Sequence, residues 1–129
     1  MRILALDYGA ARTGVAVSDE TGAIARPLGV VERASTPEGL TRVCELVREQ
    51  GAERVVVGLP LTLRGEHGSQ ALETEEFVDA LRALVDVPVE SYDERFTTTL
   101  AAGARGAAPE DARAAAHLLE SYLARMQQT

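Results

Sequence analysis

The run RVVVG at Arg54–Gly58 leaves this chain few folds to choose from. Three consecutive β-branched residues between an arginine and a glycine read as a short strand. Apolar on both alternating faces, it must be covered from both sides, as a parallel strand inside an α/β sheet is. The flanking segments agree. Thr36-Pro37 reads as a helix start, with threonine as N-cap and proline at the first helical position. Leu40, Val43 and Val47 then recur on one helical face, and Gly51 is a natural stop. Beyond RVVVG, Ser69 can cap a second helix with Phe77, Leu81 and Leu84 as its apolar face. Val87–Tyr92 reads as another strand, limited by Pro88 to an edge or an early strand position.

Upstream the pattern is different. Residues 2–8, Gly14–Ser18 and Ala23–Glu32 read as short strands separated by glycine-containing turns, an antiparallel meander. At the other end, Thr97–Ala102 reads as a short helix and Gly103–Ala108 as a small-residue loop. Pro109-Glu110-Asp111 opens a last helix running to about Met126. The order β-β-β-α-β-α-β-α-α, without repeats or linkers, predicts one α/β domain over residues 1–129: a five-stranded mixed sheet flanked by helices. Two right-handed βα crossovers would complete it. In such sheets, sites form beyond the carboxyl ends of the parallel strands.

Composition narrows the chemistry. Aromatics are 4% and Trp is absent, so the core is aliphatic. A single cysteine, Cys44, allows no internal disulfide and no Cys/His zinc spacing, which fits a reducing cytoplasm. No signal sequence and no apolar run near 18 residues is present, and a soluble, cytosolic protein without membrane contact is expected. The net charge of −7 argues against a protein that coats DNA, but not against an enzyme that engages nucleic acid locally. All 13 basic residues are arginine, which removes a lysine Schiff base and a Walker-type phosphate lysine.

Three carboxylates stand out. Asp7 ends the first strand, on the face of Ile3 and Ala5. Glu94 lies just past the fifth strand, in YDERF. Asp111 lies in the first turn of the last helix and shares a face with Ala115, Leu118 and Tyr122. Each has an ordinary explanation taken singly: a turn cap, a surface acid beside Arg95, a favourable charge at a helix N-terminus. Together they occupy compatible places, since the first and fifth strands would emerge at one end of the sheet and the last helix could bring Asp111 over them. Three converging acids repel unless a cation lies between them, and hard oxygen ligands suit Mg²⁺ or Mn²⁺. Two such ions about 3.5–4 Å apart can activate water and stabilise the leaving oxygen of a phosphodiester. Gly9 and Gly14 flank the first turn, where they either only shape a hairpin or also allow close approach of a phosphate. Arg12, Arg64, Arg95 and Arg105 fall in loops or element ends near the acids and could supply local positive potential. Tyr8, Tyr92 and Cys44 read as half-buried or core residues, His67 as a surface residue, and Arg113, His117 and Ser121 as an exposed face without a role.

The stretches LALDYGAARTGVAVSD, VVGLPLTLRGEHGSQA, YDERFTT and DARAAAHLLESYL resemble, in this order, the YqgF family, also called RuvX. These are small bacterial proteins related to Holliday-junction resolvases and described as nucleases of pre-16S rRNA. The resemblance implies a ribonuclease H-like fold and a metal-dependent phosphodiesterase site. It also implies a role in 5′-end maturation of pre-16S rRNA or in DNA processing. The family's acids fall on Asp7, Glu94 and Asp111, and its arginines on Arg12 and Arg95. The expected cofactor is Mg²⁺ or Mn²⁺ and the expected partner is nucleic acid, bound by a monomer or a homodimer. Two other classes compete: a nucleotide phosphotransferase of the actin/sugar-kinase type, which needs two such domains, and a non-catalytic rRNA-binding scaffold.

Overall fold

Five strands and three helices make up the computed structural model, which describes residues 1–60, 68–93 and 109–126. The elements are β1 (Ile3–Asp7), β2 (Arg12–Ser18), β3 (Ala25–Glu32), α1 (Pro37–Glu49), β4 (Arg54–Leu59), α2 (Ser69–Arg82), β5 (Val89–Asp93) and α3 (Glu110–Met126). The expected helix at Thr97–Ala102 lies outside the described residues. The sheet order is β3-β2-β1-β4-β5, with β1–β2 and β2–β3 antiparallel and β1–β4 and β4–β5 parallel. The five-stranded mixed sheet expected from the sequence is therefore the one observed. Pro88, which has no amide hydrogen to donate, immediately precedes the edge strand β5.

The alternation of side chains along β1 and β4 sorts the core into two layers. Leu4, Leu6, Val55 and Val57 face α1 and α2, where Val43, Leu46, Val47, Phe77, Val78 and Leu81 meet them. Ile3, Ala5 and Val56 face α3, against Ala115, Leu118, Leu119 and Tyr122. RVVVG is thus buried on both sides, as its composition requires. No helix among the described residues is long and apolar enough to cross a membrane.

Local signals account for the ends of α1. Thr36 has extended backbone and its hydroxyl accepts the Gly39 N–H at 3.1 Å, with Pro37 opening the helix. At the other end Gly51 takes φ +63°. Its N–H reaches Arg48 C=O at 3.1 Å and that of Ala52 reaches Val47 C=O at 3.0 Å, closing a Schellman motif. Thr36→Ala is expected to cost about 1 kcal/mol, seen as a lower midpoint in thermal denaturation.

Elsewhere the sequence reading needs correction. The N-cap of α2 is Gly68, without a side-chain hydrogen bond, and Ser69 is the first helical residue. Leu84 lies past the end of α2 and is 56% exposed; Ala71, Thr74 and Val78 complete the buried face instead. Cys44, by contrast, packs half-buried against the core as expected, and burial pushes its thiol pKa up. The face of Arg113, His117 and Ser121 is half-buried rather than exposed, because α3 lies across the sheet and buries a broad stripe.

The path of α3 is held near its C-terminus by side-chain hydrogen bonds. The Tyr122 hydroxyl donates to Glu90 Oε1 at 2.6 Å and accepts from Arg54 Nη1 at 2.8 Å. Burial and the bond to Glu90 push the Tyr122 phenol upward. Ser121 and Tyr92 join their hydroxyls at 2.9 Å. The Tyr122 contacts tie the end of the helix to Arg54 and Glu90, at the amino ends of β4 and β5. Its N-terminal turn consequently lies over the opposite end of the sheet, where β1 finishes.

Candidate active site

β1 delivers Asp7 to the carboxyl end of the parallel strands. Asp7 is the antiparallel partner of Gly14 in β2. Opposed residues in such a pair direct their side chains to the same face. For Gly14 that face is occupied: a Cβ built on it would come 1.8 Å from the Asp111 carbonyl oxygen and 2.3 Å from its carbon. Only a residue without a side chain lets the first turn of α3 settle there. Gly14 is therefore the shared neighbour of the two acids, and Asp7 continues the face of Ile3 and Ala5 toward α3. Beyond the hairpin or phosphate roles expected for Gly14, the structure gives it the seating of α3.

Asp111 is half-buried and ion-paired, with Arg12 Nε 2.9 Å from its Oδ2. Both side chains keep substantial exposure, 57% for Arg12 and 40% for Asp111, so the pair contributes little to stability, about 1 kcal/mol or less. Its effect is local: Arg12 offsets one of two neighbouring negative charges. The guanidinium has five donors, and Nε–H is the one spent on Asp111 at this distance.

The turn before β2 is tight. A Cβ on Gly9 would fall 2.5 Å from the Arg12 carbonyl oxygen, so glycine is required by the turn itself. Thr13, fully buried, braces the turn through its hydroxyl, which lies 3.4 Å from both the amide and the carbonyl of Gly9. A buried threonine inside β2 had no distinguishing signal in the sequence. Tyr8 points the other way and stacks on Phe77 with ring centroids 4.6 Å apart, a core contact. Tyr92 packs edge-on to Tyr122 at 5.5 Å, likewise part of the interior.

Glu94, Arg64, Arg95, His67 and Arg105 lie outside the described residues. β5 ends at Asp93, the residue before Glu94, and Asp93 is level with Leu59 at the end of β4. The described residues thus bring together Asp7, Gly9, Arg12 and Asp111. They contain no group of three His, Cys, Asp or Glu able to hold a metal ion by themselves. The two carboxylates are hard oxygen donors on one sheet face, a set suited to Mg²⁺ or Mn²⁺ rather than to softer metals.

Comparison with known proteins agrees with this layout. Residues 1–125 match the family described as "RuvX: Holliday junction resolvase". A protein named "Putative pre-16S rRNA nuclease" from Chloroflexus aggregans is 50% identical over 99 residues, covering 77% of this chain and 70% of the relative. One of the same name from Rubrobacter xylanophilus is 45% identical over 130 residues, covering 95% of this chain and 91% of the relative. Among solved structures, Thermus thermophilus RuvC in complex with a Holliday junction substrate superposes with a TM-score of 0.66 at 20% identity. The match covers 98% of this chain and 96% of that one. That likeness establishes the fold, a ribonuclease H-like mixed sheet between helices. A family match of this extent, with relatives near half identity, means that the chain belongs to the RuvX family.

Proposed function

We propose that this protein is a divalent-metal-dependent nuclease that hydrolyses phosphodiester bonds in the cytoplasm, cutting pre-16S rRNA near its 5′ end, with residues 1–129 acting as one nuclease domain. The observation that carries the reading is the contact between Gly14 and Asp111 beside Asp7. Seating the first turn of α3 on Gly14 brings a second acid to the sheet end where Asp7 finishes β1, an arrangement that a bound cation favours. The substrate class is supported by the names of the relatives from C. aggregans and R. xylanophilus.

In this reading Asp7 and Asp111 hold the metal, with Glu94 as the third carboxylate. When bound, the ion supplies Lewis-acid stabilisation of phosphoryl charge and a more acidic water. The chain's own residues do the rest. Arg12 keeps donors free beyond its bond to Asp111 and holds a phosphate of the strand. Arg64 and Arg95 extend that grip. Gly9 keeps the turn narrow, so that the strand can approach the backbone closely.

The test is a substrate panel of 5′-extended 16S precursor RNA, unstructured RNA and a four-way DNA junction, each with Mg²⁺, Mn²⁺ or chelator. The expected result is cleavage of the precursor RNA that chelation abolishes and added metal restores. Cleavage confined to the junction would move the substrate to DNA, a reading favoured by the family's description as a resolvase. Binding of RNA without turnover under any metal would overturn the nuclease in favour of a scaffold.

A further inference from the structure

Arg33 is the only non-glycine residue with positive φ among the described residues, at 47°. It joins β3 to α1. Side chains avoid this conformation because Cβ approaches the following carbonyl oxygen, and glycine or asparagine normally takes such a position. The backbone here is fixed from several sides. The Arg33 N–H donates to Ala11 C=O at 3.0 Å. Its own C=O accepts the Thr36 N–H at 3.0 Å and the Thr36 hydroxyl at 2.7 Å. A Cβ on Gly39 would lie 2.2 Å from that same carbonyl oxygen, so the first turn of α1 closes onto it. An arginine is thus held where the backbone alone would favour a smaller residue, which points to a use for its side chain.

Its location suggests the use. The bond to Ala11 anchors Arg33 to the turn that carries Arg12, and Glu32 is level with Arg12 across β2–β3. Arg33 therefore stands at the sheet end where β1 delivers Asp7. Two strand spacings separate β3 from β1, about 10 Å. Its side chain is exposed and enters no ion pair among the described residues, with neither Glu32 nor Glu38 engaging it, whereas Arg12 is engaged by Asp111.

We propose that Arg33 is a positioning residue whose guanidinium holds a backbone phosphate of the bound nucleic-acid strand, flanking the bond cut at Asp7 and Asp111. The inference rests on the nuclease reading. Two strand spacings across the sheet and past the level of Asp7 along it, the contact is to a neighbouring phosphate and not to the scissile one. Arg33 would then set the strand's path across the sheet end and leave the chemistry to the acids.

The experiment is fluorescence anisotropy with labelled single-stranded RNA and full-length protein, in chelator, across a salt series. Arg33→Gln is expected to weaken binding roughly three- to tenfold and to lower the salt slope by about 0.7. Arg33→Lys should recover the slope. Arg33→Gly, which suits the backbone, should raise thermal stability yet bind as weakly as the glutamine variant. In the cleavage assay, Arg33→Gln should raise KM and leave kcat unchanged. Wild-type affinity and salt slope in Arg33→Gln, or wild-type binding in Arg33→Gly, would overturn the proposal. Because binding is read without metal, a wild type that binds but never cuts overturns the nuclease reading alone, and one that binds no strand overturns both.

Discussion

Asp7→Asn is expected to abolish metal-dependent cleavage while the protein stays folded. The substitution keeps the shape of the side chain and removes its charge at the end of β1, where Gly14 and the first turn of α3 are its neighbours. Loss of a Lewis acid that contributes several kcal/mol lowers turnover on the order of a thousandfold. β1 itself is anchored by Ile3, Leu4, Ala5 and Leu6, all essentially without exposure, so the variant keeps the fold. Without metal, the variant should still unfold in a single cooperative transition. With Mn²⁺, the wild type should gain thermal stability by mass action and the variant should not. Metal-stimulated cleavage at the wild-type rate in Asp7→Asn would remove Asp7 from the proposed site.

Gly14→Ala is the second large effect, and it acts through backbone rather than charge. The added methyl would need the space of the Asp111 carbonyl group. No side chain can rotate away to make room, so the N-terminal turn of α3 has to lift. Overpacking of this kind costs about 3 kcal/mol, equivalent to a melting temperature lower by about 10 °C. A displacement near 1 Å at a reacting group costs roughly a hundredfold in rate, so cleavage should fall further than stability alone explains. Gly29→Ala in β3 is the control, since nothing lies within 4 Å of its missing Cβ, and it should be close to neutral. A Gly14→Ala protein with unchanged melting temperature and turnover would show that α3 does not seat on β2 as described.

The two proposed catalytic acids among the described residues differ in how readable they were. Asp7 follows a fully apolar strand, and a carboxylate at such a place is conspicuous. Asp111 was visible only through helical periodicity with Ala115, Leu118 and Tyr122, all of which are buried against the sheet. Arg33 left no mark at all. An arginine in ERAST reads like any other surface arginine, because positive φ is a property of the closed turn and not of the residue. Leu84 erred the other way: its periodicity matched a helix that had already ended.

By itself the sequence determined the five strands, the three described helices and the ends of α1, because those depend on near neighbours. Thr36, Pro37 and Gly51 act within a few residues, and alternation or helical spacing needs only the local run. It also determined which strands need cover on both faces, since RVVVG has no polar side to offer water. What only the tertiary structure decided is adjacency across long stretches of chain. That Gly14 lies beneath Asp111, that Arg12 pairs with Asp111, and that Tyr122 joins Arg54 to Glu90 all depend on the angle at which α3 crosses the sheet. That angle is set by the summed packing of two distant surfaces, and no local run of residues encodes it.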